Sequence, residues 1–114
     1  MEVQIRNRVW LEMDGAKYMG KGHVQLLRAI QETGSLNGAS KKTGISYRKT
    51  WRLINKINEL SPREVVQLQK GGAGGGGARV TPYGLELLKF FERLLAQSEK
   101  ELKALLALNQ ELWS

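Results

Sequence analysis

Residues 35–59 read SLNGASKKTGISYRKTWRLINKINE, and the punctuation of that stretch decides the fold. Ser35 is a good N-cap, able to satisfy an orphan amide of the turn that follows it. Leu36 to Thr43 then reads as a short helix, which Gly44 ends as a residue that takes left-handed backbone without a Cβ penalty. Ser46 caps a further helix, from Tyr47 to about Glu59, in which Thr50, Ile54 and Ile57 fall on one inward stripe. Ser61-Pro62 stops it. Two helices separated only by Gly44-Ile45-Ser46 carry the local signature of a helix-turn-helix, about residues 35–59. Ala39 sits where the two helices must pass closest.

Downstream, Val65 to Gln69 reads as a short strand. Lys70 opens the run GGAGGGGA (71–78), which is too rich in glycine to hold a helix, and Arg79-Val80 returns as a second strand. The expected unit is a β-hairpin, or wing, at about 64–80. Thr81-Pro82 combines an N-cap with proline at the first helical position, so a last helix is expected from Pro82 to about Leu112. Leu88, Phe91, Leu95, Ser98, Leu102, Leu105, Asn109 and Leu112 recur along it at spacings of three and four, a heptad-like seam with two polar breaks. A helix of that length spans about 45 Å, more than a small domain covers. Leu88, Phe91, Leu95, Leu102, Leu105 and Leu112 are therefore expected at a homodimer surface, with Glu99 and Lys103 paired along the helix.

Upstream, Val3, Ile5, Val9, Leu11 and Met13 alternate with polar residues, which predicts a strand over Val3–Met13. Asp14-Gly15 is a turn signal, returning through Lys17, Tyr18 and Met19. Val24, Leu26, Leu27 and Ile30 then mark a first helix ended by Gly34. The expectation is one domain over residues 1–114, mainly α with small β elements: a winged helix-turn-helix with an N-terminal hairpin and a long C-terminal dimerisation helix.

Charge points to the partner. The chain has 18 basic and 11 acidic residues, a formal net charge of +7. Six basic residues and no acidic one lie between Lys41 and Lys56. Such an excess attracts a polyanion, of which DNA is the commonest. The supply of chemical groups argues against an enzyme: no cysteine, one histidine (His23) and one aspartate (Asp14). No catalytic site, cofactor or metal is expected. No apolar run approaches the roughly 18 residues of a membrane span, and the first residues lack the features of a signal peptide, so a cytoplasmic protein is expected.

Within the helix-turn-helix, the second helix belongs in the major groove with its N-terminal residues nearest the bases. Tyr47, Arg48, Trp51 and Arg52 are the candidate base readers, the arginines as bidentate forks on guanine. Trp51 has two readings, DNA contact or support of the helix-turn-helix core. Lys41, Lys42, Ser46, Lys49 and Lys56 are candidate phosphate contacts, Ser46 first of all as a cap. Lys70, Gly74, Gly75 and Arg79 are the wing candidates. Gly72, Gly74 and Gly77 satisfy G-x-G-x-x-G, but inside a glycine run, and with no helix opening directly after it, the pattern carries little weight for nucleotide binding.

The segment GSLNGASKKTGISYRKTW (34–51), the wing GGAGGGGARVTPYG (71–84) and the early WLE (10–12) together resemble the N-terminal DNA-binding domain of the ModE-like, molybdate-responsive transcription regulators. The helix-turn-helix is also similar to that of LysR-type regulators. The resemblance implies a dimeric regulator on an inverted repeat of double-stranded DNA, with a recognition helix at Ser46–Asn58 and a wing at Lys70–Arg79. Members of the family carry C-terminal oxyanion-binding domains, and this chain ends at Ser114. The expectation is a domain that does not itself bind molybdate, either a stand-alone member of the family or an excised domain. A non-specific DNA-coating protein, and an interaction module pairing through the last helix, are the alternatives.

Overall fold

The computed structural model describes residues 2–70 and 76–114. Its elements follow in the order β1 (Leu11–Met13), β2 (Ala16–Met19), α1 (Lys21–Thr33), α2 (Leu36–Thr43), α3 (Tyr47–Leu60), β3 (Val66–Leu68), β4 (Ala78–Val80) and α4 (Pro82–Leu108), closed by a 3₁₀ turn at Gln110–Trp113. The order and type of elements match the sequence reading: mainly helix, two small antiparallel hairpins and a long last helix.

The caps act where the sequence puts them. Ser35 Oγ accepts from the Gly38 amide at 2.9 Å, Ser46 Oγ from Lys49 at 3.2 Å and Thr81 Oγ1 from Gly84 at 3.0 Å. Gly34 and Gly44 adopt left-handed backbone, with φ of 74° and 76°. Each donates its amide to the carbonyl four residues back, which closes α1 and α2.

The core lies where the helices cross. Leu26, Leu27 and Ile30 of α1 meet Ala39 of α2, Ile54 and Ile57 of α3, and Phe91 of α4. Ala39 is fully buried. Both strands of the second hairpin are tied to this core. The Asn58 side chain accepts from the Val65 and Val66 amides at 2.8 and 3.0 Å and donates to the Val66 carbonyl at 2.8 Å. On the other strand, the Ala78 amide donates to Gly34 O at 2.8 Å.

Two boundaries differ from the sequence reading. Residues 2–10 form no strand; only Leu11–Met13 pairs, with Leu11 opposite Met19 at the end of a four-residue β2. The ladder stops where its partner stops. The segment before it is tied instead to α4, with Asn7 Nδ2 donating to Ser98 Oγ at 3.2 Å, and Val3 and Ile5 line a cleft with Leu102 and Leu106. At the other end α4 stops at Leu108. Asn109 turns its side-chain amide back onto the Leu105 carbonyl at 2.8 Å, the local competition that disfavours asparagine inside helices.

The predicted seam divides accordingly. Leu88 and Phe91 are buried in the domain's own core, Leu95 and Leu102 are half-buried, and Leu105 and Leu112 are exposed. The first two thus serve the monomer, because the inner third of α4 packs against α1 and β4. Among the described residues no helix is long and apolar enough to cross a membrane.

Candidate nucleic-acid interface

Helix α3 has two distinct sides. Thr50, Ile54 and Ile57 are fully buried. At about 100° per residue, Arg48 and Arg52 point directly away from that stripe, and both are exposed. Lys49 and Lys56 are exposed on one flank. Tyr47 and Trp51 occupy the other flank, 53% and 52% exposed. That flank is shared with Asn58, the residue bonded to Val65 and Val66, so it faces the β3–β4 hairpin.

Tyr47 and Trp51 line an open groove of about 480 Å³ together with Leu68 and Gln69 of the hairpin, Ser35 and Asn37 at the start of α2, and Gly76 and Gly77. Leu68 is also partly exposed. Tyr47 and Trp51 stand out as candidates from the sequence alone; Asn37, Leu68 and Gln69 do not. Their places depend on how the hairpin folds back over α2, a tertiary fact with no local signal.

The electrostatics of this face are one-sided. From Thr33 to Asn58 there is no acidic residue. Among the described residues, Lys41, Arg48, Lys49, Arg52 and Lys56 form no ion pair. Lys42 does: its ammonium is paired with Glu32 of α1, both about half exposed. Ser46 is engaged as the α3 cap, as expected of it. On the hairpin, Arg79 Nη2 donates to Gln67 Oε1 at 2.9 Å across the strands, and Lys70 is exposed just beyond β3. Gly74 and Gly75 lie outside the described residues.

The remaining titratable groups with displaced pKa values lie away from this face. His23 is 5% exposed at the N-terminus of α1, where its Nδ1 accepts from the Gly20 amide at 3.0 Å. Burial, helped by the Lys17 charge, lowers its pKa to about 4. Tyr18 is buried with its hydroxyl 2.6 Å from Ser61 Oγ, and burial pushes its pKa up to about 12. Both are structural groups at the junctions of elements. Among the described residues no cluster of three His, Asp or Glu side chains is placed to hold a metal ion.

No family model matches the chain. Among curated proteins, it is 42% identical over 77 residues to the transcriptional regulator ModE of Yersinia pestis, a match covering 68% of this chain and 29% of that protein. It is 41% identical over 78 residues to the DNA-binding transcriptional dual regulator ModE of Escherichia coli K12, with the same coverage. Over the matched residues the chain is similar to these ModE regulators. A third relative, the molybdenum-pterin-binding protein MopB of Rhodobacter capsulatus, is 39% identical over 101 residues, covering 82% of this chain and 37% of that protein. The chain thus spans about a third of the length of these ModE-type relatives. The ModE relatives are named as regulators and not as enzymes, in keeping with a ModE-like domain so poor in catalytic groups.

Proposed function

We propose that this chain binds double-stranded DNA as a winged helix-turn-helix and regulates transcription as a homodimer on an inverted repeat, in the cytoplasm. The observation that carries the reading is the outer face of α3. Arg48 and Arg52 stand exposed opposite a fully buried stripe, on a surface with no carboxylate from residue 33 to residue 58. An exposed guanidinium at the N-terminal end of such a helix suits the bidentate contact to guanine in the major groove. Lys41, Lys49 and Lys56 serve as phosphate contacts around it. Lys42 joins them by exchanging Glu32 for a phosphate, and Lys70 and Arg79 bring charge to the hairpin side.

Dimerisation is supported by the outer half of α4. Leu105 and Leu108 are exposed there, Leu108 by 76%, Leu112 is exposed in the 3₁₀ turn that follows, and Phe90 is exposed nearer the core. The pairing face therefore runs through the exposed Leu105, Leu108 and Leu112, beyond the part of α4 that packs Leu88 and Phe91 into the domain's own core. The deciding experiment is selection of sites from random duplex DNA, with titration of the winner and a scrambled control. An inverted repeat with half-sites about one helical turn apart, bound at least about a thousandfold above the control, supports the reading. Affinity without an enriched motif supports the coating-protein alternative. Leu108→Glu should shift the dimer to monomer in sedimentation; an unchanged dimer would place the interface elsewhere.

A further inference from the structure

We propose that the groove between α3 and the β3–β4 hairpin seats the deoxyribose–phosphate backbone of one DNA strand, with Tyr47, Trp51 and Leu68 packed on the carbons of a sugar and not reading base edges; this rests on the DNA-binding reading above.

Position is the first argument. With α3 in the major groove and the hairpin beside it, a strand of the duplex has to cross between the two. Arg48 and Arg52 point outward from α3, toward the bases, whereas Tyr47 and Trp51 point sideways, toward Leu68 and Gln69. What crosses that flank is sugar and phosphate.

Chemistry is the second. The groove has an apolar wall of two aromatic rings and a leucine, all substantially exposed. Exposed aromatic surface gains free energy on leaving water, and the apolar part of a DNA backbone is its deoxyribose. The rim supplies uncharged polar groups, Ser35, Asn37 and Gln69, and among the described residues the Asn37 amide makes no hydrogen bond. It is placed to donate to a phosphate oxygen beside the sugar. Charge then selects the occupant: α2 and α3 also expose Lys41, Arg48 and Arg52, with no carboxylate on α2 or in α3 before Glu59, which suits a polyanion that carries hydrocarbon on its backbone.

The test is a comparison of wild type with Trp51→Ala and Trp51→Phe on the selected site and on random duplex. Trp51 is half exposed, so both variants should fold, which their melting curves verify. Trp51→Ala should weaken both DNAs by the same factor, about tenfold. It should leave the motif returned by repeat selection unchanged, and leave the salt slope unchanged because no phosphate charge is lost. Trp51→Phe should recover most of the affinity. Single ribonucleotides scanned through the site should weaken wild-type binding at one position per half-site, where the added hydroxyl meets the indole, and that penalty should vanish in Trp51→Ala. A relaxed motif in Trp51→Ala would make Trp51 a base reader and overturn the proposal, as would unaltered affinity, while leaving the DNA-binding reading standing. A wild-type chain that binds no duplex DNA would overturn both.

Discussion

Acid should destabilise this domain through a single imidazole. His23 is the only histidine in the chain, is buried at the start of α1, and uses Nδ1 to accept the Gly20 amide. That bond requires the neutral ring with its proton on Nε2. Protonating Nδ1 removes the acceptor and places a charge in a buried site next to Lys17. The folded pKa of about 4, against 6.5 for a free histidine, makes the sign explicit. Below pH 6.5 the unfolded chain takes up a proton that the folded chain refuses, so stability falls as pH drops from 6.5 towards 4. Linkage across that interval gives a loss of about 2 kcal/mol at pH 5 and about 3 kcal/mol once both states are protonated. The assay is urea unfolding at pH 7, 6 and 5 at fixed protein concentration, for wild type and for His23→Gln, which keeps an acceptor but cannot titrate. The wild type should lose about 2 kcal/mol more than the variant between pH 7 and pH 5. The lone imidazole resonance gives an independent reading. Titration of that resonance near 6.5, or parallel pH dependences for the two proteins, would refute the reasoning.

Gly84→Ala should destabilise by about 2 kcal/mol or more, because a Cβ there collides with the Val65 carbonyl oxygen and comes within 2.9 Å of Val80 Cγ1; calorimetry will show a lowered Tm despite the better helix propensity of alanine. Asn58→Ala removes the partner of three backbone groups at the base of β3 and should cost about 2–3 kcal/mol, read by urea unfolding. Thr50→Val should be neutral or stabilising by about 1 kcal/mol, since Thr50 Oγ1 is buried with no hydrogen-bond partner among the described residues; a marked loss of stability would show that the hydroxyl is satisfied in solution.

What was legible in the sequence was whatever local chemistry decides. Ser35, Ser46 and Thr81 announce helix starts because a short side-chain oxygen can reach an orphan amide, and Gly34 and Gly44 announce ends because they tolerate positive φ. The buried stripe Thr50, Ile54, Ile57 was readable for the same reason: helical periodicity is a property of the segment alone. The candidates on the outer face of α3 follow from that stripe by geometry. What was not legible depends on partners distant in the chain. The alternation of Val3, Ile5 and Val9 suits a strand, but among the described residues no strand pairs with it, and the segment lies by α4. The heptad seam through Leu88 and Phe91 is a genuine apolar stripe, yet periodicity cannot say whether a stripe faces its own domain or another copy. Asn58 carries no sequence signal of its role, because its three partners lie beyond a turn that only the fold closes.

The second hairpin is small: three residues per strand, two strands. Such a ribbon on its own frays in water. Here each strand has a different anchor, β3 on Asn58 of α3 and β4 on the carbonyl of Gly34, the residue whose amide closes α1. Its amide protons should therefore exchange with solvent no faster than those of the helices that hold it, as part of one cooperative unfolding unit. On the proposed DNA-binding function, the ribbon reaches a duplex already ordered. The entropy of fixing its six strand residues is spent at folding and not at binding, so the penalty is absent from the dissociation constant.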